Sequence, residues 1–177
     1  LKASGISGIT GGLMGGLIEG IDAYRNGRDF WGGKPWETKT DYSLPRGNLP
    51  IHEQADKTVG CTQETLESIA EYKRQPINIT DKSKGADFAQ LAKEHGFNTK
   101  TVMPRTPHSE HVVGAQLRIG NPSAITYNNG GTMHTVGINR IQIQQVPRVL
   151  GSGYRMRVLV QVMDPLHSAY QNLSNSL

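Results

Sequence analysis

The feature that most constrains this chain is a change of hydrophobic period near residue 120. Before that point apolar residues recur at helical spacing. After Gly120-Asn121-Pro122 they alternate with polar ones, which is the period of a half-buried strand. Upstream, CTQETLESIAEYKRQP places Leu66, Ile69 and Ala70 on one apolar face of a helix that opens at Cys61 and stops at Pro76. A second helix is expected from about Asp81 to His95, with Phe88, Leu91 and Ala92 inward and Gly96 as its stop. A third covers 109–118. Downstream, Ser123–Tyr127 reads as a short strand, and Thr132–Gln145 and Tyr154–Met163 as longer ones joined through Pro147 to Gly153. Helices followed by an antiparallel sheet give an α+β fold class.

The chain has 177 residues, enough for one ordinary domain with an appendage, and 36% of them are apolar. A formal net charge of +4 without any dense Lys/Arg run permits a nucleic-acid or acidic partner but does not demand one, and no nucleic-acid partner is expected. A single cysteine, Cys61, rules out an intrachain disulfide.

Composition shifts at the N-terminus. Residues 1–33 hold ten of the 21 glycines, and Gly8, Gly12, Gly16 and Gly20 recur every four residues. On a helix they would form a smooth stripe suited to close approach by another helix, including one in a membrane. The uncharged stretch from Ala3 to Ile18 is shorter than the ~20 residues a spanning helix needs. Pro45, Gly47 and Pro50 are expected to keep Asp41–Pro50 irregular, so we place a Gly-rich connector over 1–45 and the main domain over 46–177. Because it begins at Leu1, without a basic leader, the chain reads as a piece or released product of a longer protein.

The chemistry centres on Cys61. It follows Gly60 and opens a helix, where unsatisfied backbone N–H groups and the positive end of the dipole favour a thiolate. A hairpin centred near Val149 would put His134 opposite Asp164, Val136 opposite Val162 and Ile138 opposite Val160, all on one face. An imidazole held by a carboxylate is a base of fixed tautomer. Asn139 would lie on the opposite face. Gln63 is expected to be solvated along the helix.

Two resemblances add to this reading. YRNGRDFWGGKPW, Tyr24–Trp36, resembles the junction that precedes the variable C-terminal toxin domain of RHS-type polymorphic toxins of bacteria. That resemblance implies a secreted effector, delivered into a target cell and neutralised by a cognate immunity protein. GCTQETLESIAEY, RIGNPSAITYNNGGTMHTVGI and VLVQVMDP resemble the nucleophile helix, the histidine strand and the acid strand of papain-like cysteine peptidases, in particular the bacteriocin-processing double-glycine peptidases. The match spans about residues 50–167. It implies a papain-like fold, Cys61 as nucleophile, His134 as base and Asp164 as orienter, with no cofactor and a protein substrate in the target cell. Enzymes of this type also use a glutamine upstream of the cysteine to donate to the oxyanion. Gln54 matches, one residue further upstream than usual, and Thr62 stands where a small residue usually follows the nucleophile.

The leading expectation is therefore a cysteine protease toxin acting through a thiol acyl-enzyme. Glutamine deamidation or transamidation would use the same groups. A nuclease toxin and a non-catalytic delivery domain are the alternatives from other classes. No metal site is expected: the histidines show no His-x₃-His or Cys-pair spacing, and His108 and His111 beside Glu110 read as a solvated surface. The glycines have no P-loop or Rossmann spacing, and Trp31 and Trp36 read as pins for the connector.

Overall fold

β-Branched residues on alternate positions favour pleated strands, and the longest such stretch organises the fold of this computed structural model, which describes residues 37–102, 108–147 and 154–176. In chain order the elements are β1 (Glu37–Ser43), α1 (Cys61–Tyr72), α2 (Phe88–Glu94), α3 (Ser109–Arg118), β2 (Ser123–Asn129), β3 (Thr132–Pro147), β4 (Tyr154–Asp164) and β5 (Ala169–Ser176). All five strands pair antiparallel in one sheet of order β1-β3-β4-β5, and β2 also pairs with β3. β3 is 16 residues long and serves two neighbours along one edge. Its first half pairs with β2 and its second half with β1, while β4 lies along the other edge. The α+β class and the antiparallel sheet expected from the period change are therefore present.

The β3–β4 register differs from the expected hairpin. Ile138 faces Val162 and Gly137 faces Met163, a slip of two residues that keeps every side chain on its expected face. Beyond Ile138 a bulge at Asn139 advances the register by one more, so Ile141 faces Val160. The bulge also switches which residues point inward: Val136 and Ile138 before it, Ile141 and Ile143 after it, are all buried. Asn139 is buried as well, and its side-chain oxygen accepts from the Leu49 N–H at 2.8 Å while its carbonyl accepts from Leu44.

Two edge strands lie where none was expected. β1 occupies 37–43 and pairs with Arg140–Gln145, so part of the stretch assigned to the connector, including the start of Asp41–Pro50, belongs to the sheet. β5 follows Asp164 through a short turn and pairs along β4. The Gly-rich run and the Tyr24–Trp36 phrase lie outside the described residues. Among the described residues no helix is long and apolar enough to cross a membrane.

α1 packs on β3 but is not the one-faced amphipathic helix its pattern suggests. Of its twelve residues all but Glu71 are buried. Several of its polar residues find partners in the 77–86 segment that wraps it. Glu67 accepts from the Ile79 N–H at 2.6 Å, and Lys82 donates to Glu64 at 3.0 Å and to Glu67 at 2.6 Å. Gln63, expected in solvent, is buried and donates to the Lys84 carbonyl at 2.9 Å. The same wrapping segment is why α2 starts late. Asp81 caps a turn at Ser83, and only Asp87, accepting from the Gln90 N–H, opens the helix that the sequence placed from Asp81. Gly96, at φ 82°, ends it as expected.

Candidate active site

Cys61 is the first residue of α1. Gly60 before it has φ 97°, a left-handed conformation that glycine adopts at little cost, and no side chain caps the helix. The first N–H groups of α1 are thus left facing the sulfur's end of the helix. Across from it, β3 presents three groups. The thiol donates to the Met133 carbonyl at 3.9 Å, and the His134 ring and the Thr135 N–H lie on the same side, near enough to favour its thiolate. The helix is registered against β3 by hydroxyls. Thr62 meets Thr135 at 3.0 Å, Thr135 meets Thr126 on β2 at 2.9 Å, and Thr65 donates to the Thr135 carbonyl at 3.0 Å.

His134 sits on β3 opposite Tyr127 of β2, whose ring meets the imidazole edge-on with centroids 5.5 Å apart. Its Nε2 lies 2.9 Å from Asp164 Oδ1, which leaves Nδ1 as the nitrogen for Cys61. The pair is not directly cross-strand. The β3–β4 ladder ends at Gly137–Met163, and Asp164, the last residue of β4, reaches diagonally past that end. Both residues are almost fully buried, His134 at 5% and Asp164 at 1%. The Asp164 carboxylate also accepts from the Leu166 N–H at 2.9 Å on Oδ1 and from His167 Nδ1 at 2.8 Å on Oδ2.

The electrostatics follow from these contacts. Burial pushes the Cys61 thiol up, but the His134 hydrogen bond, the Thr135 N–H, the imidazolium charge and the Thr62 hydroxyl outweigh it and hold it below 9.0. Burial would likewise depress His134, yet hydrogen bonds and charge from Asp164 and Cys61 raise it from 6.5 to about 9. Burial opposes ionisation of Asp164, and its two histidine partners reverse that, keeping it below 3.8. Burial, then the charges of Asp164 and Cys61, raise Tyr127 above 10.0, so its hydroxyl stays protonated. The shifts all act in the direction of a thiolate–imidazolium pair backed by a carboxylate.

The structure brings Cys61, His134 and Asp164 together. Gln54 lies at the rim. It is buried, its N–H donates to the Pro165 carbonyl at 3.0 Å beside Asp164, and its Cγ lies 3.8 Å from where a Cβ on Gly60 would stand. One amide hydrogen goes to the Asp56 carbonyl, and Oε1 is buried without a hydrogen-bond partner. Asn139 is committed to Leu49 and takes no part. His167 and Tyr127 were not singled out from the sequence. The only signal for His167 was its position three residues after Asp164.

Among the described residues, two groups of His and carboxylate side chains elsewhere bring potential ligand atoms within 4.8 Å of one another: His52 with Glu64 and Glu67, and His108 with Glu110 and His111. Lys82 already sits on both glutamates of the first. In the second, His111 Nδ1 is hydrogen-bonded to the Tyr42 hydroxyl at 2.7 Å. Neither group includes Cys61, His134 or Asp164. Compared with known proteins, the chain matches no protein-family model, no curated protein and no solved structure.

Proposed function

We propose that this chain carries a papain-like cysteine hydrolase, most simply a cysteine protease, acting as the toxin domain of a bacterial effector. The observation that carries the proposal is the contact chain from Cys61 through His134 to Asp164, built on a helix start and two strand ends. In this reading the Cys61 thiolate attacks a substrate carbonyl, and its electron pair forms the C–S bond. The tetrahedral oxyanion takes hydrogen bonds from α1's first N–H groups and from Gln54. His134 gives its proton to the leaving amine, and Asp164 holds the ring in place. Water, deprotonated by the now neutral His134, then attacks the thioester and releases the acid. A protein substrate in a target cell, a cognate immunity protein and delivery by secretion belong to the same proposal, on the strength of the sequence resemblance alone.

The test is expression of the full chain in the bacterial cytoplasm, with Cys61→Ala and His134→Ala beside it. We expect growth arrest from the unaltered chain and none from either variant, each variant folded by circular dichroism. Undiminished arrest by folded Cys61→Ala would falsify the enzymatic reading. Ammonia release without new peptide termini in the arrested cells would replace protease with deamidase.

A further inference from the structure

The turn between β4 and β5 does more than reverse the chain. Asp164 and Ala169 close it as a strand pair, and Ser168 takes φ 47°, a left-handed conformation uncommon outside glycine. Its Pro165 carbonyl is tied to the Gln54 N–H. Within this frame His167 folds back onto Asp164, three residues earlier, and donates from Nδ1 to Oδ2 at 2.8 Å. The contact joins unlike partners. The His167 side chain is 55% exposed and that of Asp164 is 2% exposed. The carboxylate is thus anchored on both oxygens: Leu166 and His134 on Oδ1, His167 on Oδ2. With Oδ1 alone engaged, a carboxylate keeps torsional freedom about its Cβ–Cγ bond. The second anchor removes it, and an unsatisfied buried oxygen would itself be unfavourable.

We propose that His167 is a positioning residue for the active site, fixing the plane of the Asp164 carboxylate so that Oδ1 holds the His134 ring toward Cys61. This rests on the catalytic reading of Cys61, His134 and Asp164 and adds a fourth member to it. The titratable groups around Asp164 are His134 from β3, His167 from its own turn and Tyr127 from β2. Of these, His167 alone has its ring largely in solvent.

The experiment uses the full chain with His167→Ala and His167→Asn. An asparagine amide nitrogen stands close to where the imidazole Nδ1 does, so the asparagine variant keeps the donor without the ring. The first readout is the rate of Cys61 alkylation by iodoacetamide against pH. The second is the ring ¹⁵N titration of His134 in a Cys61→Ala background, where no chemistry is involved. Outer-shell partners at metal sites are worth 10–100-fold, so we expect His167→Ala to slow alkylation at neutral pH by roughly 10-fold. We also expect the His134 titration to move down toward an ordinary imidazole. His167→Asn should restore most of both. A His134 titration that stays in place or rises in His167→Ala overturns the proposal, as does an asparagine variant no better than alanine. The two readings separate cleanly. An ordinary thiol profile for Cys61 in the unaltered chain would sink the nucleophile, whereas a His134 titration that still moves with His167 would leave the positioning role standing.

Discussion

Replacing Asp164 with Asn tests the site where its geometry is tightest. Asp164 accepts three hydrogen bonds, two on Oδ1 and one on Oδ2. Asparagine has one accepting atom. Placed with its oxygen toward His134 and Leu166 it keeps two of the three, but it turns an N–H₂ toward His167 Nδ1, which must then change tautomer. The negative charge is lost in either orientation. His134 is raised from 6.5 to about 9 by Asp164 and Cys61 against the opposing effect of burial. That gap of about 2.5 units corresponds to about 3 kcal/mol of imidazolium stabilisation, of which the Asp164 hydrogen bond is the largest favourable part. Without the carboxylate the upper edge of the ion-pair window falls from about 9 toward 6.5. The thiol, which depends on the imidazolium, moves up. In a Ser-His-Asp triad the same change costs roughly 10⁴ in turnover. Here the thiol rises as its imidazolium partner is lost, and alkylation at neutral pH should slow by about 10–10³-fold, within the usual contribution of a positioned base. The assay is the second-order alkylation rate of Cys61, the only cysteine in the chain, across the pH range. An Asp164→Asn protein with unaltered rate and unaltered pH midpoint would refute the reasoning and move the orienting group elsewhere.

Other substitutions probe the frame. A Cβ on Gly137 would stand 2.5 Å from Leu49 Cδ1 and 3.3 Å from Met163 Cε, and Leu49 is fully buried. Gly137→Ala should therefore destabilise by about 1–3 kcal/mol through overpacking, read as a lower urea midpoint at unchanged slope. Lys82→Met leaves Glu64 and Glu67 buried without their shared cation. Because Lys82 is one-third exposed, the loss should fall below the range for a fully buried pair, about 1–3 kcal/mol, and shrink on acidification as the carboxylates take up protons. The pH dependence of stability separates the two members of the ion pair. His134, raised, contributes stability fully present below 6.5 and lost as pH rises through about 9. Cys61, lowered, contributes stability that grows with pH up to 9.0. The opposed slopes should make the unaltered protein less pH-dependent between these values than Cys61→Ala, which should lose stability as pH rises, measured as urea midpoints across that range.

What was legible in the sequence was what periodicity carries. The period-two segments gave β3 and β4, with the correct faces of β3 as far as Ile138, and the pairing of an imidazole with a carboxylate at one end survived a two-residue error in register because a shift of two preserves the face. The bulge at Asn139 was not legible, since the partner its side chain meets there, Leu49, lies far away in sequence. Nor were the edge strands. β1 (ETKTDYS) and β5 (AYQNLSNS) carry few apolar residues, and each takes its hydrogen bonds from a neighbour far away in sequence or from a turn. On α1 the apolar stripe was real, but the burial of Gln63, Glu64 and Glu67 depends on backbone and lysine partners from 77–86, which no local pattern announces. Cys61 at a helix start was visible from Gly60 and the pattern that follows. The second anchor on Asp164 was not, because a histidine after Asp-Pro reads as turn surface.

The most direct test of the central claim is a pH titration of the thiolate's ultraviolet absorbance in the unaltered chain, taken as a difference against Cys61→Ala. We expect the thiolate to appear below 9.0, because the His134 imidazolium and the Thr135 N–H stabilise it against the opposing effect of burial. A thiolate that forms only at or above 9.0 would show that burial dominates, and that Cys61 is a structural thiol rather than a nucleophile.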